Sequence, residues 1–101
     1  MNMAALIGEV ASPVESTGED VVRFSLAVAR RGAGDAEQVD VQASGAQAAA
    51  CRAFLRPGHR VAVEGRVSPG ASPAEVVAER VQFLTTRAEA EAMRAAEDVG
   101  E

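Results

Sequence analysis

Apolar and polar residues alternate in several separate stretches of the chain, which is the pattern of half-buried β-strands. The residues that would share one face of the second such stretch are Val22, Phe24, Leu26 and Val28. Comparable patterns predict five strands in all, over residues 3–10, 22–28, 39–43, 60–67 and 75–84. Gly8 interrupts the first strand and indicates a bulge or a close approach of another backbone.

One stretch, residues 46–55, has the period of a short helix, and Pro57 and Gly58 end it. A doubly wound parallel sheet needs a helix after nearly every strand, so this order excludes that architecture. The order β-β-β-α-β-β instead predicts an all-β domain with one short helix, arranged as a five-stranded barrel. Closure would remove the exposed edges that valine-rich strands otherwise offer to aggregation.

Residues 85–101 form a short, acidic, alanine-rich tail, so we divide the chain into a domain over residues 1–84 and this tail. Thr85 and Thr86 are suitable caps for a helix that begins at Arg87, and the residues that follow mostly favour helix. Its apolar face would be mostly alanine. We therefore expect a marginal, solvated helix or a disordered tail, with docking onto a partner as the less favoured alternative.

The composition limits how such a barrel would be stabilised and what it would bind. Hydrophobic residues make up 48% of the 101 residues, but only three residues are aromatic, all Phe, so the core must consist of Val, Leu and Ala. A domain of this size has a modest core and would gain from oligomerisation. The net charge of -5, from ten Arg and fifteen acids, argues against holding nucleic acid by bulk charge alone.

Several functional classes find no support in the sequence. The single Cys51 excludes an internal disulfide and fits a reducing compartment. No signal-like N-terminus and no membrane-spanning apolar run is present, so we expect a cytoplasmic protein. The chain has one His and one Cys, and it shows neither the spacing of metal ligands nor a phosphate-binding loop. The sequence therefore gives no support for catalysis. We expect no enzyme, no metal site and no cofactor.

Four sequence blocks stand in a fixed order along the predicted domain. They are Asn2 with Leu6-Ile7-Gly8, residues 22–31 (VRFSLAVARR), residues 54–67 (FLRPGHRVAVEGRV) and residues 75–84 (EVVAERVQFL). Together they resemble the bacterial single-stranded-DNA-binding proteins over residues 2–84. The resemblance implies an oligonucleotide-binding (OB) fold that assembles into dimers of dimers. It also implies sequence-independent binding of single strands in DNA replication, repair or recombination.

The sequence departs from this family where bases normally stack on aromatic rings. Gln38 stands where the family usually has an aromatic residue, and Ser44 stands where it has Trp or Phe. The family's long hairpin between the last two strands is reduced to residues 68–73, and the loop after Arg31 offers only Gly and Ala. Since each stacking ring contributes about 1–3 kcal/mol, we expect weak or specialised binding.

Arginine is the remaining side chain that can pair with phosphate and also lie flat on a base. The candidate DNA-binding residues are Arg23, Arg30 and Arg31, on the second strand and its exit, and Arg66, at the end of the fourth strand. The family's arrangement places them on one side of the barrel. The alternative is that they are solvated charges, paired with neighbours such as Asp35, Glu37 or Glu64.

The remaining ring side chains are expected to be structural. Phe24 and Phe83 lie in alternating strands and are predicted to be core residues, and Phe54 is predicted to pack beneath the barrel or at a subunit contact. His59 follows Pro57 and Gly58, and is predicted to be exposed in a turn.

Two functional hypotheses remain. In the first, the protein is a weak or specialised single-stranded-DNA binder that relies on arginine, backbone contacts and avidity within a homo-oligomer, a dimer or tetramer. In the second, it is an OB-fold interaction or assembly module that has lost DNA binding and pairs with itself or with a full-length paralogue. The retained arginines favour the first.

The acidic tip at residues 97–101 lacks the family's apolar pair, so recruitment of other proteins by that route is not expected.

Overall fold

The computed structural model of the protein describes residues 3–29, 36–68, 70 and 74–99. The strands are β1 (Met3–Val10), β2 (Glu15–Gly18), β3 (Val21–Ala29), β4 (Ala36–Ser44), β5 (Arg60–Val67) and β6 (Ala74–Phe83). The helices are α1 (Gly45–Phe54) and α2 (Arg87–Val99). All five predicted strands and the short helix are confirmed.

The short strand β2 lies between the first two predicted strands, where the sequence predicts no strand. Glu15 pairs with Arg23 and Ser16 with Val22, and the register shifts at Gly18. The chain therefore returns along β3 as a small hairpin. Alternation of large apolar residues could not reveal it, because all four residues of β2 are exposed.

The five long strands pair in a closed ring. The sheet order is β1-β5-β6-β4-β3-β2, and β1 also pairs with β3. Every contact is antiparallel except that of β4 with β6, which is parallel. The predicted fold class, all-β with one helix after the third long strand, is confirmed.

The interior is built from small aliphatic side chains. Val22, Leu26, Val41, Val61 and Val63 are fully buried. Helix α1 covers one end of the ring with further buried side chains, namely Ala48 and Cys51. Burial raises the pKa of the Cys51 thiol to about 11, so this cysteine is an inert core residue at neutral pH.

Gly8 is the point at which β1 passes close to β3. A Cβ added there would lie 2.6 Å from the Ala27 carbonyl oxygen and 2.8 Å from Leu26 Cγ. The predicted close backbone approach at Gly8 is therefore confirmed. It allows β1 to pair with β5 along most of its length and with β3 at its end, which closes the ring.

Helix α1 is fixed to the sheet at an irregular point. The β5–β6 register shifts at Glu64 and Gly65, so Glu79 is left out of the ladder. The Gln47 side chain of α1 forms hydrogen bonds with the backbone at this point. Its Nε2 donates to the Glu79 carbonyl at 2.8 Å, and its Oε1 accepts from the Val81 N–H. One side chain thus satisfies polar groups that the bulge would otherwise leave unpaired.

Helix α2 begins with a reciprocal capping arrangement. The Glu89 N–H donates to Thr86 Oγ1 at 3.1 Å, and the Thr86 N–H donates to Glu89 Oε1 at 2.8 Å. Hydrogen bonds to the Glu89 carboxylate, first from the Thr86 N–H and then from the Thr86 side chain, lower the pKa of that carboxyl. Met93 reaches the turn at Gly58, where a Cβ would lie 2.9 Å from Met93 Cε.

The prediction that His59 is exposed is wrong. His59 is 4% exposed, and its ring lies 5.1 Å from that of Phe54, which in turn stacks on Phe83 at 5.4 Å. The turn is drawn inward because the Val10 N–H donates to the His59 carbonyl and the Gly58 N–H donates to the Val10 carbonyl. Burial, followed by the positive charge of Arg56, lowers the pKa of His59.

Within the described part of the chain, no helix is long and apolar enough to cross a membrane.

Candidate nucleic-acid interface

The outward positions of β3, β4, β5 and β6 form one continuous surface. On β3, Val22, Phe24 and Leu26 point into the core, so the residues between them point outward. The strand registers pair Arg23 with Gln42, Gln42 with Val77, and Val77 with Arg66. These four residues make a row across four strands, which we call the arginine row.

The arginine row brings two of the four predicted residues onto one surface. Arg23 and Arg66 stand at its two ends, separated by three strand spacings of roughly 4.8 Å, or about 14 Å along the sheet. Gln42 and Val77 lie between them. Arg30 and Arg31 lie outside the described residues, so their role stays a prediction.

Arg23 makes the closest ionic contact among the described residues of this surface, and a second, longer one. Its guanidinium lies 2.8 Å from Glu75 Oε2 and 3.7 Å from Asp40 Oδ2. The parallel register sets Asp40 beside Glu75. Arg23 reaches Asp40 from the neighbouring strand β3 and reaches Glu75 across β4. The arginine is therefore held between two carboxylates, neither of which the sequence identified as its partner.

Arg66 is paired in a more open setting. Its Nε lies 3.1 Å from Glu79 Oε2, and the two side chains are 75% and 50% exposed. Such an ion pair in solvent contributes little to stability, so Arg66 can readily exchange Glu79 for another partner. Arg66 is therefore accessible to an incoming phosphate.

Polar side chains occupy the position where the family usually stacks a base. Gln38 Nε2 lies 3.4 Å from Ser25 Oγ and 3.4 Å from Asp40 Oδ1, and Ser25 Oγ lies 3.3 Å from Asp40 Oδ1. We call Ser25, Gln38 and Asp40 the polar cluster. It offers long hydrogen bonds in place of an aromatic ring.

The three Phe residues supply no stacking ring on this surface. Phe24 is 3% exposed in the core, as predicted, and Phe83 packs against the same core while stacking on Phe54. Ser44, the second position where the family has a ring, is the residue before helix α1. All four of these residues lie in the part of the chain that the structure describes.

A groove of about 240 Å³ runs beside Arg23, between β2 and β4. Its charged lining residues are Glu15, Arg23 and Asp40. Two of these three charges are negative. The groove therefore lacks the net positive charge of a groove that binds a phosphate backbone.

Sequence reasoning missed the carboxylates of this surface. Asp40 stands between the inward residues Val39 and Val41, so its outward direction could be inferred from alternation. Its neighbour across the sheet, Glu75, could not be inferred, because the parallel pairing of β4 with β6 leaves no local mark in the sequence.

The closed ring of strands with one parallel contact, and the helix that follows the third long strand, define an OB-type fold. The family model described as "Single-strand binding protein family" matches residues 1–84. The chain belongs to this family, and the predicted membership is confirmed. Members of this family are DNA-binding proteins rather than enzymes.

Solved structures are similar over most of the chain. A small single-stranded DNA-binding protein from Streptomyces coelicolor is 28% identical, with a TM-score of 0.67 over 82% of this chain and 94% of that one. The second single-stranded DNA-binding protein of Mycobacterium smegmatis is 22% identical, with a TM-score of 0.71 over 82% and 88%. A dimeric structure of the N-terminal domain of PriB from Thermoanaerobacter tencongensis is 22% identical, with a TM-score of 0.66 over 84% and 98%.

A search of the curated proteins finds no match. The family and the structures that share this fold support single-stranded DNA binding as the function of the chain. They do not favour the hypothesis of a barrel that has lost DNA binding.

Proposed function

We propose that the protein binds single-stranded DNA weakly and without sequence preference, chiefly through arginine. The arginine row is the observation that carries this proposal, because it sets Arg23 and Arg66 on the outer surface of a barrel from the single-strand binding family. Guanidinium groups bind phosphate and stack on bases, so they can act on any sequence. Arg30 and Arg31 would extend the site from the end of β3.

The absence of ring stacking sets the expected strength. Stacking of a base on an aromatic side chain contributes about 1–3 kcal/mol, and all three Phe residues pack elsewhere. Binding would therefore depend on charge and fall steeply with salt. We therefore expect a weak or specialised binder rather than one that holds DNA at high salt.

We further propose that the protein acts as a homo-oligomer, a dimer or tetramer. Met3 and Ile7 on β1 are 47% and 56% exposed, and such apolar side chains are typical of a surface that another chain covers. Several weak sites on one assembly would raise the overall affinity for a long strand. A full-length paralogue is an alternative partner for the same surface.

The cellular setting follows from family membership. A protein of this family is expected to act where single strands arise during replication, repair or recombination, in the cytoplasm and close to the nucleoid. A test is the retention of the tagged protein on nucleoids after treatment of the cells with an agent that exposes single strands.

Binding itself is tested with a labelled oligothymidine of thirty-five nucleotides, followed by fluorescence anisotropy at low salt. Unlabelled strands of mixed sequence should compete equally well, and a duplex of equal length should compete poorly. Arg66→Ala should weaken binding, whereas Arg87→Ala on α2, which removes the same charge elsewhere, should have little effect. Equal competition by the duplex, or equal weakening in both variants, would contradict a single-strand site on the arginine row.

A further inference from the structure

Arg23 is held by two carboxylates that have limited access to water. The side chains of Asp40 and Glu75 are only 26% and 25% exposed, while that of Arg23 is 42% exposed. Charges that water reaches poorly are less screened, so their mutual attraction is stronger than in open solvent. A phosphate that arrives at this surface must compete with both carboxylates for one guanidinium.

The polar cluster fixes one of these competitors. Ser25 and Gln38 both direct a polar atom at Asp40 Oδ1, and the other oxygen of Asp40 faces Arg23. Asp40 is therefore oriented towards the arginine rather than free to turn into solvent. Glu75 stands beside it on the neighbouring strand because of the parallel register.

Arg66 provides a contrast within the same arginine row. Among the described residues its carboxylate partner is Glu79, in an exposed pair that costs little to break. The two ends of the row thus differ in how readily they can exchange a carboxylate for a phosphate.

We propose that Asp40 and Glu75 act as an electrostatic brake on DNA binding: they compete with backbone phosphate for Arg23 and keep the affinity of the wild-type protein low. The inference rests on the proposed function and deepens it. It assigns Asp40 and Glu75 the role of setting affinity without contacting DNA themselves. Like charges that face a ligand of the same sign are an established means of tuning specificity.

The test compares the wild-type protein with Asp40→Asn/Glu75→Gln, using the labelled oligothymidine at low salt. The isosteric variant should bind about tenfold more tightly, since it frees Arg23 and removes two repulsive charges. Glu91→Gln/Glu97→Gln on α2 is the matched control, because it changes the net charge equally but away from the arginine row. It should change the affinity by less than about twofold.

A mutant cycle then assigns the effect to Arg23. Arg23→Ala should weaken binding by about twofold in the wild-type background and by about tenfold in the Asp40→Asn/Glu75→Gln background. Glu75→Gln alone removes one of the two carboxylates and should give a smaller gain in affinity. Far-UV circular dichroism checks that each variant is folded.

The outcomes separate this inference from the proposed function. The brake is overturned if the wild-type protein binds and the isosteric variant has no higher affinity, or if the α2 control gains affinity equally. The proposed function then still stands. Failure of the wild-type protein to bind contradicts the proposed function, whereas clear binding by the isosteric variant at the same salt still supports the brake. Failure of both to bind overturns the brake and the proposed function together.

Discussion

The guanidinium of Arg23 on β3 lies 2.8 Å from the carboxylate of Glu75 on β6, although β4 runs between these two strands. Asp40, on that middle strand, lies 3.7 Å from the same guanidinium. Arg23, which the sequence predicts as a phosphate-binding residue, is thus already paired with two carboxylates. We propose that this contact keeps the affinity of the surface for DNA low.

Removal of one carboxylate from this ion pair should change the stability of the fold little. Because Arg23 keeps Asp40 as a partner, Glu75→Gln should change the free energy of unfolding by less than about 1 kcal/mol. Urea denaturation measures this directly. A decrease of several kcal/mol would show that the pair is chiefly a structural element and not a regulator of binding.

Gly8→Ala should destabilise the barrel by about 1–3 kcal/mol, because the new methyl group would meet the Ala27 carbonyl and Leu26 at the closing corner of the ring. Gly18→Ala is the matched control, since its Cβ would meet only Val21 at 3.8 Å, an ordinary contact. Thermal unfolding of both variants should show a clear drop for Gly8→Ala alone. Similar midpoints would contradict the close approach of β1 to β3.

His59 should make the fold sensitive to mild acid. Burial and Arg56 depress its pKa in the folded state, so the neutral ring stabilises the fold above the unfolded pKa, near 6.5. This stabilisation is lost as the pH falls from that value through the lower folded pKa. His59→Leu removes the ionisable group, so its thermal midpoint should fall less than that of the wild-type protein between pH 7.5 and about 5. Parallel curves for the two proteins would argue against a buried His59.

Thr86→Ala should shorten or unfold helix α2, because it removes the acceptor for the Glu89 N–H. Thr86→Ser keeps the hydroxyl and should retain the helix. Helix content measured by far-UV circular dichroism distinguishes the two variants, and a nuclear magnetic resonance shift of Met93 reports contact with the barrel. Unchanged spectra in Thr86→Ala would show that the cap does not determine helix formation.

The sequence predicts the strands well because inward apolar residues alternate along β3, β4 and β5, and because β1 is an apolar run. The first residue of β5, Arg60, and its last, Val67, are both predicted correctly for this reason. The helix α1 is predicted because its period changes and Pro57 follows. Strand β2 is missed because it contributes no buried side chain, so its pairing with β3 leaves no hydrophobic signal.

The site is predicted less completely, for a physical reason. Arg23 and Arg66 are found because residue type and strand position are local properties. Their partners are set by register and by which strands become neighbours, and both arise only when the ring closes. His59 is misjudged for a similar reason, since hydrogen bonds between the turn and Val10 draw it inward.

The central claim, that arginine side chains on this barrel bind single-stranded DNA, is tested most directly by the salt dependence of oligothymidine binding. Anisotropy titrations of the wild-type protein and of Arg30→Ala/Arg31→Ala should be made at several salt concentrations. We expect the affinity of the wild-type protein to fall steeply with salt, and the slope of the variant to be shallower by about 0.7 for each phosphate that Arg30 and Arg31 neutralise. No binding at low salt, or binding that neither salt nor the variant changes, would contradict the account.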